Sequence, residues 1–382
     1  MYSISGYGDM ITDTVRMDAY ARALREAVKP GSVVLDIGTG TGIFALLACQ
    51  LGARRVYAVE PSDAIDVARE IARANGCANS IEFIQALSTE ITLAERADVI
   101  VSDLRGVLPF CERHLPAIED ARRRFLAPGG VLIPRRDTLW LACIEAPDAF
   151  RRLTRPWSEN AYGLDMRAAF KLVSNQWDRA KVKAEQVISA PQRCGSVDYT
   201  TVENPDFAST VNSPVTRAGI GHGVCAWFDA TLAEGIEFSN APGRPEAIYG
   251  TAFFPWPEPV ALDAGDEVSV TLAADLMGAD YLWRWDTRVV NRVDPLRCKA
   301  EFRQSSFFGA PVSPARLRKQ SASHVATLND DGLIDQMSLQ MMQDGTPLGE
   351  IARHLARRFP GRFARWQDAL TRVGELSARY SR

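Results

Sequence analysis

Several features that define common protein classes are missing from this 382-residue sequence. Its seven cysteines form no Cys-x-x-Cys pair, which argues against a zinc framework and suits a reducing compartment. Its four histidines lack the spacing of metal ligands, so we expect no metal. No Gly-x-Ser-x-Gly, phosphate-binding P-loop or His-Glu-x-x-His motif occurs, and hydrolases, kinases and metalloproteases are therefore excluded as first hypotheses.

An excess of charge of one sign is also absent, as are long apolar runs. The chain has 44 Lys and Arg against 47 Asp and Glu, so we expect no nucleic-acid binding driven by phosphate neutralisation. No stretch reaches the roughly 18 apolar residues of a membrane span. Residues 1–9 have neither the basic nor the apolar part of a secretory signal. We therefore expect a cytoplasmic location and no membrane partner.

The most informative segment is a glycine-rich turn that follows a short apolar run. Residues 33–37 predict a buried strand. Residues 43–51 predict an apolar helix that is closed by Gly52. Between them lie three glycines, which let the chain turn tightly beside a ligand: Gly38, Gly40 and Gly42.

Acidic residues on both sides of this turn indicate its ligand. Asp36 lies two residues before Gly38, where a carboxylate would repel a pyrophosphate and would suit a ligand with a cationic end, such as S-adenosylmethionine (SAM). A second predicted strand, residues 55–59, ends at Glu60, where an α/β crevice binds ribose hydroxyls. An unrelated glycine-rich connection is the alternative, but the order of these features favours a SAM site.

The remaining patterns divide the chain into three regions. Helices and strands alternate over the first region and predict a doubly wound parallel sheet. Beyond it, short strand-like runs between Pro- and Gly-rich loops predict a β-rich domain, and helical patterns follow from residue 298. The predicted helices are 10–28, 63–74, 112–125, 348–359 and 363–380, and the predicted strands include 81–86, 99–103, 139–144, 223–229 and 268–272.

Five further segments resemble the protein arginine N-methyltransferases, and the resemblance covers roughly residues 7–285. The first, residues 10–20, resembles the family's cofactor-covering helix, whose arginine pairs with the carboxylate of the cofactor and is Arg16 here. Residues 102–112 resemble its double-acid loop. The other three are residues 126–144, 157–166 and 222–229, which resemble its link into the barrel, its dimerisation arm (Trp157-x-Glu159-Asn160-x-Tyr162) and a barrel strand.

This resemblance implies an architecture and a homodimer. We expect a cofactor-covering helix over residues 1–30 and a Rossmann-like SAM-binding domain over 31–137. A β-barrel substrate domain would follow over 138–297, with a dimerisation arm at about 155–185, and a C-terminal helical module would occupy 298–382.

The resemblance also implies SAM-dependent methylation of an arginine guanidino nitrogen, with Asp103 and Glu112 as the catalytic pair. A guanidinium has a pKa above about 12, and its nitrogens are poor nucleophiles until carboxylates draw the charge aside and turn one nitrogen toward the methyl group. The alternative is that both acids are solvated, with Glu112 at a helix start. The expected cofactor-binding residues are Met10, Arg16, Asp36, Gly38, Gly40, Gly42, Glu60, Ser88, Thr89 and His114.

The chain departs from the family pattern in its first acid, its aromatic residues and its adenine-binding acid. Asp103 stands in place of Glu and reaches about 1.5 Å less. Only Tyr2 and Tyr7 remain of a tyrosine-bearing segment. Residues 246–249, Glu-Ala-Ile-Tyr, replace a Thr-His-Trp loop, and we favour an ordinary strand entry there over a replacement acid or aromatic wall. Thr89 replaces the adenine-binding acid.

The tail is the fourth departure. Residues 344–361 resemble PqqD-like winged-helix modules, although a plain helical cap explains the same residues and is favoured.

The identity of the methyl acceptor also stays open at this stage. An arginine-containing protein or peptide is the leading hypothesis. Free arginine or another small-molecule guanidine is an alternative, as is a non-catalytic partner that only binds the cofactor.

Overall fold

The computed structural model of the chain describes residues 3–159, 162–294 and 297–381. It contains two compact units, residues 1–311 and residues 312–382. Among the described residues, no helix is both long enough and apolar enough to cross a membrane.

The first unit begins with two helices in place of the single predicted helix over 10–28. They are α1 (Ile4–Thr12) and α2 (Thr14–Ala27). The backbone of Asp13 is extended, and its carboxylate accepts a hydrogen bond from the backbone N–H of Arg16 at 3.1 Å. Asp13 is thus the N-cap of the second helix, which is why the chain breaks there.

A five-stranded parallel sheet follows, with strand order β3-β2-β1-β4-β5, which confirms the predicted doubly wound class. Its elements are β1 (Val33–Ile37), α3 (Ile43–Gln50), β2 (Arg55–Val59), α4 (Ala64–Ala74), β3 (Ile81–Ile84), β4 (Ala97–Ser102), α5 (His114–Phe125) and β5 (Leu126–Ile133). The central strand β1 is buried along its whole length because α helices cover both faces of such a sheet. It pairs with β2 on one side and β4 on the other, so the glycine turn, Glu60 and Asp103 follow neighbouring strand ends.

The prediction of a helix over 112–125 was wrong at its start. Helix α5 begins at His114, and Glu112 lies before it with a φ of 45°. Among the described residues Glu112 is the only non-glycine residue with a positive φ, a conformation that side chains disfavour and that concentrates at functional sites.

Two antiparallel sheets form the barrel-like domain. One has six strands in the order β7-β12-β10-β6-β8, with β11 paired to β10, and the other has the order β15-β14-β13-β9. Buried aromatic rings such as Trp256, Trp285 and Phe254 fill the core. The strands are β6 (Arg136–Ile144), β7 (Asp178–Ala180), β8 (Gln192–Asp198), β9 (Phe207–Pro214), β10 (Gly219–Ala233), β11 (Ile236–Ser239), β12 (Thr251–Leu262), β13 (Glu267–Met277), β14 (Asp280–Val290) and β15 (Cys298–Ser305).

The predicted start of the helical module at residue 298 was wrong. Strand β15 pairs antiparallel with β14, and the first unit continues to Pro311. The strand lies at the edge of its sheet, and only two of its eight residues are buried. An edge strand with so few buried positions lacks the apolar alternation that identifies strands in a sequence.

The segment expected to form the dimerisation arm contains α6 (Pro147–Ser158) and α7 (Phe170–Val173). Helix α6 begins at Pro147, since proline is favoured at the first helical position. The bounds of the arm, about residues 155–185, stay a prediction. Between the two helices three apolar side chains are exposed, Tyr162, Leu164 and Met166. Asn160 of the predicted motif lies outside the described residues.

The second unit is helical. It contains α8 (Pro314–Lys319), α9 (Asp330–Gln343), α10 (Leu348–Arg358) and α11 (Trp366–Tyr380), and Ile334, Ile351 and Val373 lie in its core. Over residues 312–381 the structure describes no strand, and a winged helix would need strands for its wing. A plain helical module, the favoured alternative, describes this unit better.

Candidate active site

A cavity of about 560 Å³ lies where β1, β2 and β4 end. Helix α1 supplies Tyr7, Met10 and Ile11 to its wall, while the glycine turn and the start of α5 supply others. Nine of the residues predicted for the site line this cavity: Met10, Arg16, Gly38, Glu60, Ser88, Thr89, Asp103, Glu112 and His114. Asp36, Gly40 and Gly42 do not line it.

The glycine turn is shaped by left-handed backbone and close packing. Gly38 has a φ of 74° and Gly40 a φ of 54°. A Cβ atom at Gly38 would lie 2.3 Å from the Leu104 side chain, and one at Gly40 would lie 2.4 Å from the Tyr7 ring. Both positions therefore require glycine, and their lack of a side chain lets Tyr7 close over the turn.

Asp36 provides a buried carboxylate with one unused oxygen. Its Oδ2 accepts hydrogen bonds from the Thr39 hydroxyl at 2.5 Å and from the backbone N–H of Ala45 at 3.1 Å. Its Oδ1 has no partner among the described residues, although Asp36 is only 1% exposed. Burial raises the pKa of Asp36 to about 7. An orphaned buried oxygen is rare, and a ligand ammonium would satisfy it.

Glu60 is also buried and is held by backbone donors. Its Oε2 accepts from the backbone N–H of Gly40 at 3.1 Å, and its Oε1 accepts from that of Ser62 at 3.0 Å. Each carboxylate oxygen keeps a second lone pair, so the group can still accept a pair of ribose hydroxyls. Burial and the charge of Glu60 raise the pKa of the neighbouring Tyr7. Asp36, Glu60 and the glycine turn therefore fit the amino and ribose groups of SAM.

Arg16 joins the cofactor-covering region to the first acid. Its Nε donates to Asp103 Oδ2 at 2.5 Å, and its Nη1 donates to the Met10 carbonyl at 3.1 Å. Its Nη2 makes no hydrogen bond to the part of the chain that the structure describes. One edge of the guanidinium is therefore available for the carboxylate of a cofactor.

Asp103 is held by three side chains. Besides Arg16, the Tyr249 hydroxyl donates to its Oδ2 at 2.6 Å, and Arg105 Nε donates to its Oδ1 at 3.2 Å. Burial tends to raise the pKa of Asp103, but Arg16 and Arg105 lower it by more, so that it lies below its ordinary value. The carboxylate is therefore ionised, and its side chain is 6% exposed.

Arg105 was not predicted from the sequence. Its fully buried guanidinium donates to Asp137 Oδ1 at 2.6 Å and to the Tyr20 hydroxyl at 2.7 Å, in addition to Asp103. The rings of Phe228 and Phe238 lie 5.1 and 5.5 Å from it. The sequence offered one indication that Arg105 belongs to the site, its position two residues after the first acid. Its partners Asp137 and Tyr20 come from distant segments.

His114 is buried and extends this network. The Tyr199 hydroxyl donates to Asp137 Oδ2 at 2.6 Å, so it can only accept from His114 Nε2, which lies 3.1 Å away. Burial lowers the pKa of His114 to about 3, and the ring is therefore neutral. Its Nδ1 is an acceptor with no partner among the described residues.

Glu112, the second predicted acid, is in a different environment. It is exposed at the wall of the cavity, and no described residue forms a hydrogen bond or ion pair with it. The structure therefore brings both predicted acids to one cavity, as expected. It gives them different states, because Asp103 is paired and Glu112 is unpaired.

The segment that replaces the Thr-His-Trp loop contributes Tyr249 to the site. Glu246 is exposed and pairs with Lys181, so it is not a replacement acid. Tyr249 lies in a turn before β12, is buried, and donates to Asp103. The favoured interpretation of this segment as an ordinary strand entry was therefore wrong for Tyr249.

The fold and the cavity define a Rossmann-like, SAM-binding methyltransferase domain that is joined to an antiparallel barrel-like domain. Comparison with family models supports this class. Residues 16–119 match the model for ribosomal protein L11 methyltransferase (PrmA), and residues 135–279 match the arginine methyltransferase oligomerization subdomain.

Individual relatives identify the family. The chain is 35% identical to protein arginine N-methyltransferase 6 of Danio rerio over 260 residues, which cover 64% of this chain and 74% of the relative. It is 31% identical to protein arginine N-methyltransferase PRMT10 of Oryza sativa subsp. japonica over 301 residues, covering 69% and 78%. The chain belongs to the protein arginine N-methyltransferases, a family of SAM-dependent enzymes.

A solved structure supports the same assignment, and the match to another relative spans about half of its length. The crystal structure of Arabidopsis thaliana protein arginine methyltransferase 10 superposes with a TM-score of 0.70 at 25% identity, covering 79% of this chain and 97% of that one. The probable protein arginine N-methyltransferase 6 of Arabidopsis thaliana is 31% identical over 247 residues, and the match spans only 55% of its length.

Proposed function

We propose that this enzyme transfers the methyl group of SAM to a guanidino nitrogen of arginine in a protein or peptide. One observation carries the proposal: the unpaired carboxylate of Glu112 and the ionised carboxylate of Asp103 line the same cavity as Glu60 and the glycine turn. When bound, SAM supplies an electrophilic methyl group on its sulfonium. The relatives are named for arginine methylation of proteins, which supports a protein acceptor.

The chain's own residues suit each part of the cofactor. Asp36 Oδ1 would accept from the ammonium, directly or through water, and the free edge of Arg16 would pair with the carboxylate. Glu60 would accept the ribose hydroxyls. The lining residues Ser88 and Thr89 lie in a short 3₁₀ turn and would face the base, while Met10 on α1 would cover the cofactor.

Glu112 would bind the acceptor. Its free carboxylate can accept two parallel N–H bonds from a guanidinium, which draws positive charge toward those nitrogens and leaves the third nitrogen to attack. Asp103 would add a further hydrogen bond. After methyl transfer the guanidinium must lose one proton, and one of the nitrogens bound to Glu112 can give it to this carboxylate, which has no other partner in the described chain.

Incubation with methyl-labelled SAM and mass spectrometry of the products tests the acceptor. The panel is a peptide with one central arginine, the same peptide with lysine, and free arginine. We expect a single added methyl group on the arginine of the first peptide, with no label on the second. Label confined to free arginine would show a small-molecule enzyme. SAM binding without transfer to any of the three would show a non-catalytic partner.

We also propose that the enzyme is a homodimer. Tyr162, Leu164 and Met166 expose apolar surface between α6 and α7, within the match to the oligomerization subdomain. A two-fold, self-complementary contact would bury such a surface. Light scattering should give twice the chain mass for the wild type and a smaller mass for Leu164→Asp. A monomeric wild type would exclude this proposal. The cytoplasmic location stays a prediction.

A further inference from the structure

Arg105 places a resident guanidinium beside the first acid. Its Nε donates to Asp103 Oδ1 at 3.2 Å, and its two terminal nitrogens are used by Asp137 and Tyr20. The residue lines the cavity and is 3% exposed. The cation that an acceptor arginine would offer to Asp103 is therefore already present within the chain.

The remaining hydrogen-bonding capacity of Asp103 is small. A carboxylate has about four lone-pair sites. Arg16 and Tyr249 occupy both sites on Oδ2, and Arg105 occupies one site on Oδ1. A guanidinium that binds a carboxylate through two parallel bonds needs a free site on each oxygen. Asp103 can therefore give an acceptor one hydrogen bond and cannot give it two.

The charges around Asp103 are balanced as well. Arg16 and Arg105 carry two positive charges, and Asp103 and Asp137 carry two negative charges, all on side chains no more than 6% exposed. Burial strengthens these interactions, because the low polarity of the interior screens charge poorly. Of the two acids proposed to bind the acceptor, Glu112 alone offers uncompensated negative charge.

We propose that Arg105 is a specificity-determining residue: by sharing Asp103, it weakens the attraction of this acid for a cationic acceptor and leaves recognition of the positive charge to Glu112. This inference rests on the proposed function. It concerns how strongly the cavity distinguishes a charged guanidinium from a neutral group of the same shape, and binding can measure that without turnover.

The test compares a peptide with one central arginine and the same peptide with citrulline, a neutral near-isostere, in the presence of S-adenosylhomocysteine. Arg105→Met combined with Asp137→Asn removes one buried positive and one buried negative charge and leaves the Arg16–Asp103 pair intact. We expect the ratio of the citrulline Kd to the arginine Kd to rise about tenfold over wild type, as for one added hydrogen bond between charged groups. The acceptor KM should fall with little change in kcat.

Two further variants keep the test decisive. Arg105→Lys retains the charge beside Asp103, and its Kd ratio should stay within about twofold of wild type. If the double variant Arg105→Met, Asp137→Asn does not fold, as judged by circular dichroism, the double variant Arg105→Gln, Asp137→Asn takes its place. A purely structural role would change the binding of both peptides equally. An unchanged or smaller ratio of the citrulline Kd to the arginine Kd, in a folded double variant that lacks both charges, overturns the inference.

The outcome separates this inference from the proposed function. If wild-type enzyme methylates arginine and the Kd ratio does not widen, the proposed function stands and the role of Arg105 falls. If wild-type enzyme methylates none of the acceptors and the ratio widens, the methyl-transfer proposal falls and Arg105 still controls recognition of a guanidinium.

Discussion

The two ends of the cavity are built in different ways. At the cofactor end, the glycine turn, Asp36 and Glu60 lie within one segment of the chain, and backbone N–H groups hold Glu60. At the acceptor end, side chains from residues 16, 105 and 249 converge on Asp103. The first end is a local motif, whereas the second exists only when the barrel-like domain packs against the parallel sheet.

This difference explains why the glycine turn, Asp36 and Glu60 follow the family pattern while the first acid and its surroundings depart from it. A turn held by its own backbone depends on a few glycines and one acid. A cluster of charged side chains from distant segments can be rearranged when a residue such as Arg105 or Tyr249 changes, provided that the buried charges remain paired. The variants below examine each end in turn, from the largest expected effect to the smallest.

Glu112→Gln should have the largest effect, since it removes the unpaired acid at the acceptor end. We expect kcat/KM to fall about 10³-fold, or about 4 kcal/mol of transition-state stabilisation, because the guanidinium loses its negative partner. The Kd for SAM, measured by calorimetry, should stay within twofold. Glu119→Gln on α5, whose partner is Arg123, serves as the control and should leave turnover unchanged. Full turnover by Glu112→Gln would remove this acid from the mechanism.

Asp103→Asn should mainly reduce stability. It leaves Arg16 and Arg105 with one fewer buried counter-charge, and we expect the free energy of unfolding in urea to fall by about 3 kcal/mol. Because pairing lowers the folded-state pKa of Asp103, its stabilisation is present above the ordinary aspartate pKa and is lost as the pH falls through the lower, folded value. The difference between wild type and variant should therefore shrink in acid. Equal stabilities at neutral pH would contradict the network.

Gly40→Ala tests the cofactor end. The new Cβ would lie 2.4 Å from the Tyr7 ring at a φ of 54°, so the ring must move, and we expect the Kd for SAM to rise about tenfold. Gly31→Ala is a matched control, since its φ is 90° but nothing lies within 4 Å of the added Cβ. Both variants carry backbone strain, and only Gly40→Ala adds a clash. Similar SAM affinities for the two variants would show that Tyr7 does not close over the turn.

The pH dependence of SAM binding should show the smallest effect. Burial raises the pKa of Asp36 to about 7, and only its ionised form attracts an ammonium. The affinity for SAM should therefore rise several-fold as the pH increases from 6 to 8. Asp36→Asn should lose this rise, and any pH dependence of SAM binding that remains in the variant reports the ligand's own amine. The same pKa also affects folding stability. The folded protein without SAM holds the Asp36 proton more tightly than the unfolded chain does, so its free energy of unfolding should decrease as the pH rises toward 7.

The features that could be predicted from the sequence are those whose interacting residues lie close together along the chain. Residues 33–60 could be predicted because strand, turn, helix and second strand are consecutive and apolar. The break at Asp13 was missed, since a capping aspartate resembles any polar residue on a helix face. Strand β15 was missed because an edge strand has few buried residues. Arg105 was missed because its partners Asp137 and Tyr20 are 32 and 85 positions away.

The sequence by itself determined the fold class, the cofactor turn and the presence of two acids near each other, because these depend on local periodicity and on the ends of adjacent parallel strands. Only the tertiary structure decided that Asp103 is neutralised while Glu112 is free. The ionic state of a buried side chain depends on which charged and polar groups surround it in space, and here those groups come from both domains of the first unit.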